Sequence, residues 1–385
     1  MSKHLVLLGL TCVFTPAAFA GGDLAAADEG VTEPSLNAWG QVQVWGTLLD
    51  QDTAVQADPA TYGDPELDPG FNIPRGRMGF YGTLPSNQDW LQAQWAVGFG
   101  VGSVTDALRT SDTDVQLIDG FGRILVGDND MLTSLTVGQQ KVVLSREQLM
   151  SSRDLVFQDR GIIGDWLSHG RDTGATLAQQ VGVGDAGQVA LRLGAYNGNA
   201  SFLSDDDPGV ALAGRLEFEL GDSYRTWSPT LDSALGVGLN AFTNPTLGTK
   251  RDTVGGDLLA RYKWVTFLAE YLTSGVQPGD STVAPPSVSE ATRQSGLTTQ
   301  LSVFVPFNGG NGLEVAGRFA TFDDAAAYED NGDVQLIDAG FTWRNPIPGF
   351  DLGAGYIHRA EVHGRTIPND SVRVWIQARP VFEVL

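Results

Sequence analysis

Apolar and polar side chains alternate with a period of two along most of the chain. Near its end, for example, Val372 and Val374 flank Arg373. This alternation is typical of β-strands with one apolar and one polar face, because successive side chains point to opposite sides. Helical spacing is rare, and the one short helix that we predict lies at about 145–149.

The alternating segments predict sixteen strands. Most are longer than the about five or six residues usual in soluble proteins, as a tilted membrane crossing requires. They cover about residues 36–50, 75–84, 89–102, 115–126, 132–143, 172–183, 188–198, 209–220, 233–244, 252–264, 266–275, 295–305, 311–323, 333–344, 350–362 and 371–385.

Short and long connections mostly alternate between these strands. Links such as Gly127 to Asp130 are short and rich in turn residues, whereas 51–74 and 144–171 are long. An even-stranded barrel of the outer membrane has this pattern, with short turns at one end and long loops at the other. A soluble sandwich is the alternative, but it has no reason to separate loop lengths by end. The link at 221–232 is long for a turn and breaks the pattern.

The first twenty residues predict a secretory signal peptide. Lys3 and His4 precede an apolar stretch, and Ala18-Phe19-Ala20 is a cleavage site of small residues. We therefore predict a signal peptide at 1–20, a periplasmic segment at 21–35 and an all-β, 16-stranded antiparallel transmembrane barrel at 36–385. The predicted location is the bacterial outer membrane.

The polar faces of the strands would line a lumen that is too wide for side chains to fill at sixteen strands. Arginines facing it create a field that attracts anions, and acids on the same faces dilute that field. Pairing of these charges across neighbouring strands is the alternative. The arginines are Arg75, Arg77, Arg123, Arg192, Arg215, Arg261, Arg318 and Arg373. The acids are Asp119, Asp172, Glu217, Glu219, Asp257, Glu270, Glu314 and Asp338.

The composition narrows the function further. A formal net charge of -22 argues against nucleic acid as a partner. One cysteine excludes a disulfide framework. Acids cluster in the predicted external loops, as at 205–207, and would repel anions at the mouth. They are either solvated or bridged by calcium or magnesium to lipopolysaccharide.

Catalytic motifs are weak. Gly182 to Gly187 matches the dinucleotide-binding pattern GxGxxG, but the segment after it reads as a strand where such a site needs a helix. With only His169, His358 and His363 beyond the signal segment, we predict neither a metal site nor a cofactor, and no enzyme activity.

Several motifs resemble the phosphate-selective porin O and P family, and they occur in that family's order from about residue 36 to the end. The more specific block spans 137–174 and contains VGQQK at 137–141, SREQLMSSRD at 145–154 and GRDTG at 170–174. Fainter matches are Arg75-Gly-Arg77, Ala195 to Gly198, Ala269 to Tyr271 and Val315 to Phe319.

The resemblance implies a trimeric outer-membrane channel whose third external loop, mapped to about 144–171, folds into the pore. It implies an anion path along lumen arginines, for which the candidates are Arg75, Arg77, Arg123, Arg215 and Arg318. It further implies that Lys141, Ser151, Ser152 and Arg153 hold anions near the constriction through charge-assisted and hydroxyl hydrogen bonds. The alternative is that residues 151–153 only pin the loop to the barrel wall.

Two departures from the family bear on selectivity and assembly. Beyond the signal segment the only lysines are Lys141, Lys250 and Lys263, so an external lysine collar is largely missing. The last residue is Leu385, where barrel proteins commonly end in an aromatic residue, and Phe382 lies close by.

The sequence thus predicts a passive porin for small hydrophilic solutes, with anions such as phosphate favoured. Its expected partners are outer-membrane lipid, lipopolysaccharide and two further copies of the chain. The alternatives are a general porin of weak or cation-leaning selectivity and a structural or adhesive barrel.

Overall fold

A computed structural model describes residues 34–51, 70–101, 115–128, 130–157, 159–184, 187–199, 209–245, 249–278, 290–307, 310–327, 333–363 and 369–384. The predicted signal peptide and residues 21–33 of the predicted periplasmic segment lie outside these ranges. Among the described residues, no helix is long and apolar enough to cross a membrane.

The described chain forms sixteen antiparallel strands, each paired with the next. β1 pairs with both β2 and β16, so the sheet closes into a barrel. This confirms the predicted fold class. The strands are β1 Ser35–Gln51, β2 Gly70–Leu84, β3 Leu91–Val101, β4 Gln116–Gly127, β5 Met131–Lys141, β6 Arg171–Val183, β7 Gly187–Tyr196, β8 Ala211–Leu220, β9 Ala234–Pro245, β10 Thr249–Tyr262, β11 Val265–Pro278, β12 Thr292–Pro306, β13 Gly312–Asp323, β14 Val334–Arg344, β15 Phe350–Glu361 and β16 Asn369–Ala378, which continues as Val381–Glu383.

The interruption in β16 has a local cause. Proline has no backbone N–H, so Pro380 cannot donate to the ladder. The register is nevertheless kept, since Ala378 lies opposite Val42 and Val381 lies opposite Trp39. The carbonyl of Pro380 still accepts a hydrogen bond from the N–H of Gly40 at 3.0 Å. The sequence predicted one unbroken final strand, which the structure corrects to two segments of the same strand.

The two faces of each strand differ in polarity. In β8, Arg215, Glu217 and Glu219 are buried inside the barrel, whereas Leu212 and Leu216 are exposed on its outside. An apolar exterior around a polar interior is the arrangement that lipid on one side and water on the other select. At the short-turn end, large aromatic side chains are exposed, as in the girdles at membrane boundaries. They include Tyr262, Trp264, Trp343 and Phe350.

The connection between β8 and β9, residues 221–233, folds into the barrel. Ser223, Tyr224 and Trp227 in this β8–β9 turn are buried. Arg261 on β10 holds the turn by donating hydrogen bonds of 2.7–2.9 Å to three of its carbonyl oxygens. The extra length that made this link irregular in the sequence therefore fills part of the lumen.

Gly138 interrupts the simple alternation of β5. It has a φ of 127°, a conformation that favours glycine, and an added Cβ would lie 2.2 Å from the carbonyl oxygen of Gly120. The three residues that follow, 139–141, are all buried. The alternation of buried and exposed residues in β5 thus ends at Gly138, although the strand register continues through it.

Replacing Gly138 by alanine should destabilise the barrel by about 1–3 kcal/mol, because the new Cβ meets backbone in a strained conformation. Gly122→Ala on the neighbouring strand is the matched control, since a Cβ there meets nothing within 4 Å. The measurement is the denaturant midpoint of the two variants in detergent. Equal midpoints would contradict this reading of Gly138.

Candidate functional site

The segment between β5 and β6, residues 142–170, lies inside the barrel, and we call it the pore loop. It contains a short helix, α1 Arg146–Leu149, which matches the helix predicted from the sequence. The hydroxyl of Ser145 caps this helix by accepting a hydrogen bond from the N–H of Gln148 at 3.1 Å. A single π-helical turn follows at Ile163–Leu167.

Apolar side chains fix the two ends of the pore loop. Those from 142–144 and 162–167 pack against apolar residues that point inward from β7, β8, β9, β11, β13 and β14. Tyr196, Phe242 and Phe322 are the largest of these wall residues. Because this cluster removes apolar surface from the water of the lumen, it stabilises the folded position of the loop.

Ion pairs and charge-assisted hydrogen bonds fix the helix of the pore loop to β10, to β11 and to the β8–β9 turn. The guanidinium of Arg146 donates to Asp257 on β10 at 2.6 Å and to the β8–β9 turn at Ser223. Glu270 on β11 accepts hydrogen bonds from the backbone N–H groups of Arg146 and Glu147, both at 3.2 Å. The pore loop and the β8–β9 turn are therefore held to each other and to the wall.

A second set of charges anchors the middle of the loop. Asp159 accepts a hydrogen bond from Arg75 at 3.0 Å and lies 3.8 Å from Arg373. Burial works against the charged carboxylate, but Arg75 and Arg373 outweigh it and lower the pKa of Asp159. Arg318 donates to the carbonyl oxygen of Asp159 and to Glu147. Burial still raises the pKa of Glu147 despite that arginine.

The four residues predicted to hold anions at the constriction form hydrogen bonds with other residues of the chain. The ammonium of Lys141 donates to the carbonyl oxygens of Leu149 and Met150 at 2.9 and 2.8 Å. Among the described contacts, the hydroxyl of Ser151 accepts from the N–H of Arg153 at 3.2 Å. Lys141 thus joins the end of β5 to the helix of the pore loop, whereas the contact of Ser151 lies within the loop.

Ser152 and Arg153 reach the wall. The hydroxyl of Ser152 donates to Gln41 at 3.2 Å and accepts from Arg77 at 3.1 Å. Arg153 donates to the carbonyl oxygen of Arg379 at 2.7 Å. Such contacts favour the interpretation in which residues 151–153 pin the loop, which the sequence left open beside anion binding.

The lumen arginines are extensively paired. Arg215 contacts Glu217 and Asp257, and Arg318 contacts Asp338. Sequence reasoning missed Arg344, which is fully buried between Glu314 at 2.6 Å and Asp351 at 3.1 Å. It ends β14 two residues after Thr342, so the alternation itself carried the signal. The pairing alternative raised from the sequence thus holds for these arginines.

Arg123 lies on β4 and contacts the neighbouring part of the wall. Its Nε donates to the hydroxyl of Thr136 on β5 at 3.0 Å, and its guanidinium lies over Phe121 at 5.4 Å. A cavity opens beside it between β4, β5, β6 and β7. Arg192 and Lys141 also line that cavity, so the structure brings together here three cations that the sequence placed in separate segments.

Carboxylates also gather at the rim. Oxygens of Asp323, Asp324 and Asp333 lie within 4.8 Å of one another, between β13 and β14. Clustered carboxylates are ligands that hard cations prefer, although exposed acidic groups also occur together without an ion.

A closed sixteen-stranded barrel with an apolar exterior, a charged lumen and a loop folded into that lumen is the architecture of an outer-membrane porin. The sequence model of the family described as phosphate-selective porin O and P matches residues 52–261, more than half of the chain. The chain belongs to that family and is an outer-membrane porin, which confirms the resemblance seen in the sequence.

Solved structures agree with this fold. The chain is similar to a loop-deletion mutant of OmpT from Vibrio cholerae, with 12% identity, 90% of this chain and 99% of that chain covered and a TM-score of 0.58. It is similar to an anion-selective porin from Comamonas acidovorans, with 14% identity, 90% and 100% covered and a TM-score of 0.56. The trimer form of OmpT gives 11%, 90% and 99%, and 0.52. A sequence search of curated proteins finds no significant match.

Replacing Asp159 by asparagine should loosen the pore loop, because Arg75 and Arg373 lose the carboxylate between them. The expected cost is about 1.5–3 kcal/mol, the range for a hydrogen bond to a charged group. Since the pKa of Asp159 is lowered, this attachment is fully present at neutral pH and is lost only as pH falls below the ordinary carboxyl range.

The measurement is protease cleavage within residues 142–170, together with current noise in a planar bilayer. Asp370→Asn, whose carboxylate pairs with His358 at the rim, is the control. If Asp159 does not anchor the loop, the two variants should be cleaved at the same rate and should show the same current noise.

Proposed function

We propose that this porin is a passive diffusion channel that prefers small anions, phosphate among them. The observation that carries the proposal is the cavity on the β4–β7 side, which is lined by Arg123, Lys141 and Arg192 and by one carboxylate, that of Asp119. Two of these groups are paired with residues outside the lining, Arg192 with Glu217 and Asp119 with Arg171, and these two pairs offset each other. A net positive, partly enclosed lining raises the local concentration of anions. Membership of a family described as phosphate-selective and the shared fold of the anion-selective Comamonas acidovorans porin support the same selectivity.

A general porin of weak or cation-leaning selectivity is the second candidate. It is favoured by the ion pairs that neutralise Arg215, Arg318 and Arg344, and by the excess of acids in the whole chain. Because a paired arginine contributes little net field to the lumen, the number of lumen arginines alone does not decide between the two candidates.

The roles of the sequence-predicted residues follow from their contacts. Ser152 and Arg153 act by holding the pore loop in place. Lys141 also holds the loop, and in addition it lines the β4–β7 cavity. Export by a signal peptide at 1–20, contact with lipid and lipopolysaccharide and the absence of covalent chemistry are parts of the same proposal.

Single-channel recording in a planar bilayer tests the selectivity. Across a potassium chloride gradient we expect a reversal potential that reports preference for chloride, and a conductance that falls as phosphate is added, because phosphate occupies the same path longer. A reversal potential of cation-selective sign would refute the anion proposal and favour the second candidate. A protein that inserts without conducting would instead support a structural barrel.

A homotrimer is the proposed assembly, supported by the trimer form of OmpT, which has the same fold. Mass measurement of the detergent-solubilised protein, corrected for bound detergent, should give three times the chain mass. Unheated samples should migrate as one large species in gel electrophoresis, and boiled samples as a monomer. A monomer mass in mild detergent would contradict the trimer.

A further inference from the structure

The contents of the lumen are distributed unevenly around the barrel. The described contacts of the pore loop fall on β1, β2, β8–β14 and β16, and on the loop-side ends of β5, β6 and β7. The β8–β9 turn enters from the opposite end and packs its Tyr224 against Leu149, Met150 and Leu155 of the pore loop. These two segments together fill one side of the lumen from both ends.

The β4–β7 side is different. Lys141 and Val143, which hold the start of the pore loop, form one edge of the cavity between these strands. The rest of its lining comes from the wall and includes Arg123, Thr136, Thr176 and Arg192. The space left for a solute therefore lies against β4–β7.

The strand register places these residues in a compact group. Arg123 lies opposite Thr136, and Thr136 lies opposite Thr176. Arg192 lies opposite Ala178, one inward position along β6 from Thr176. Arg123 and Arg192 are thus three strands apart, about 14 Å between backbones. Both arginines border the same cavity.

Thr136 and Arg192 each have a donor available there. Thr136 accepts from the Nε of Arg123 at 3.0 Å, which leaves its own hydroxyl proton for an acceptor. Arg192 is held by Glu217 at 3.1 Å and lies over Tyr224 at 6.0 Å. Its Nε is buried and has no hydrogen-bond partner among the described residues. Guanidinium and hydroxyl donors on facing walls are the groups that bind an oxyanion.

The carboxylate in the lining is already engaged. Asp119 accepts two hydrogen bonds from Arg171, at 2.9 and 3.2 Å. Its charge is therefore largely compensated from outside the group formed by Arg123, Thr136 and Arg192. Binding of an anion to that group does not require Asp119 to be displaced.

We propose that solutes cross this porin along the β4–β7 wall, and that Arg123 and Arg192, with the hydroxyl of Thr136, form the oxyanion-binding point of that path. The inference rests on the proposed function and locates its selectivity away from the residues that the sequence singled out at the tip of the pore loop. The β8–β9 turn contributes to this binding point, because the guanidinium of Arg192 lies over the ring of Tyr224 in that turn.

Cysteine accessibility tests the route. In a background where Cys12 is replaced by serine, Thr136→Cys places a thiol on the proposed path. Thr342→Cys is the matched control, because Thr342 on β14 is fully buried beneath the pore loop and donates to the carbonyl oxygen of Val156. A small charged methanethiosulfonate reagent should reduce the current through T136C severalfold faster than through T342C.

Thr176→Cys, next in the same row, is the second probe if T136C assembles poorly. Equal modification rates in the probe and control positions, or faster modification at Thr342, would overturn the route. The cysteine modification experiment needs only a conducting channel, so it tests the route whatever the ion selectivity is.

Charge removal tests the binding point. Arg123→Gln and Arg192→Gln should each lower the chloride-to-potassium permeability ratio severalfold and weaken block by inorganic phosphate, while Arg123→Lys should retain most of the ratio. Arg293→Gln is the control, because Arg293 is exposed on β12, where its Nε donates to Thr273. A wild-type channel that is anion-selective with both glutamine variants unchanged would overturn the binding point and leave the proposed function standing. A cation-selective wild type would refute the proposed function itself.

Discussion

Closure of the sheet by β1 and β16 is the constraint on which the rest of the structure depends. In hydrocarbon each backbone N–H and C=O must be paired within the protein, so a spanning sheet cannot have an edge. β1 meets this demand by pairing with β2 on one side and with β16 on the other. Pro380, which cannot donate, lies near the end of β16, where its carbonyl is still used. Closure at sixteen strands then creates a lumen too wide for wall side chains to fill.

The width of the lumen explains why two segments fold into it. An unfilled lumen would be a large water-filled pore, and a pore loop without fixed contacts would not define a constriction. The apolar cluster around Leu144 and Ile163 and the ion pairs of Arg146 and Asp159 give the loop one position. Most buried arginines of the lumen serve this purpose. A buried charge is tolerated when it is paired and hydrogen-bonded, and a paired charge attracts passing ions only weakly.

The sequence predicted the strands well because their signal is local. A period of two is set by the pleat, and each of the sixteen alternating segments corresponds in order to a strand. The short helix at Arg146–Leu149 was also predictable, from the serine that caps it. Contacts between distant segments carry no local signal. Nothing near Lys141 shows that its ammonium will meet the carbonyl oxygens of Leu149 and Met150, and nothing near Tyr224 shows that the β8–β9 turn folds inward.

For the same reason, the sequence indicated the lumen arginines but not the site that two of them form. Arg123 and Arg192 are 69 positions apart in the chain, and only the register of four strands makes them neighbours of one cavity. The excess of acids in the chain does not contradict a positive path there. Fields of charges at the mouth fall off over about 8 Å at physiological ionic strength, whereas Arg123 and Arg192 border the cavity itself. If solutes take the proposed path, selectivity depends on these local cations more than on the net charge of the protein.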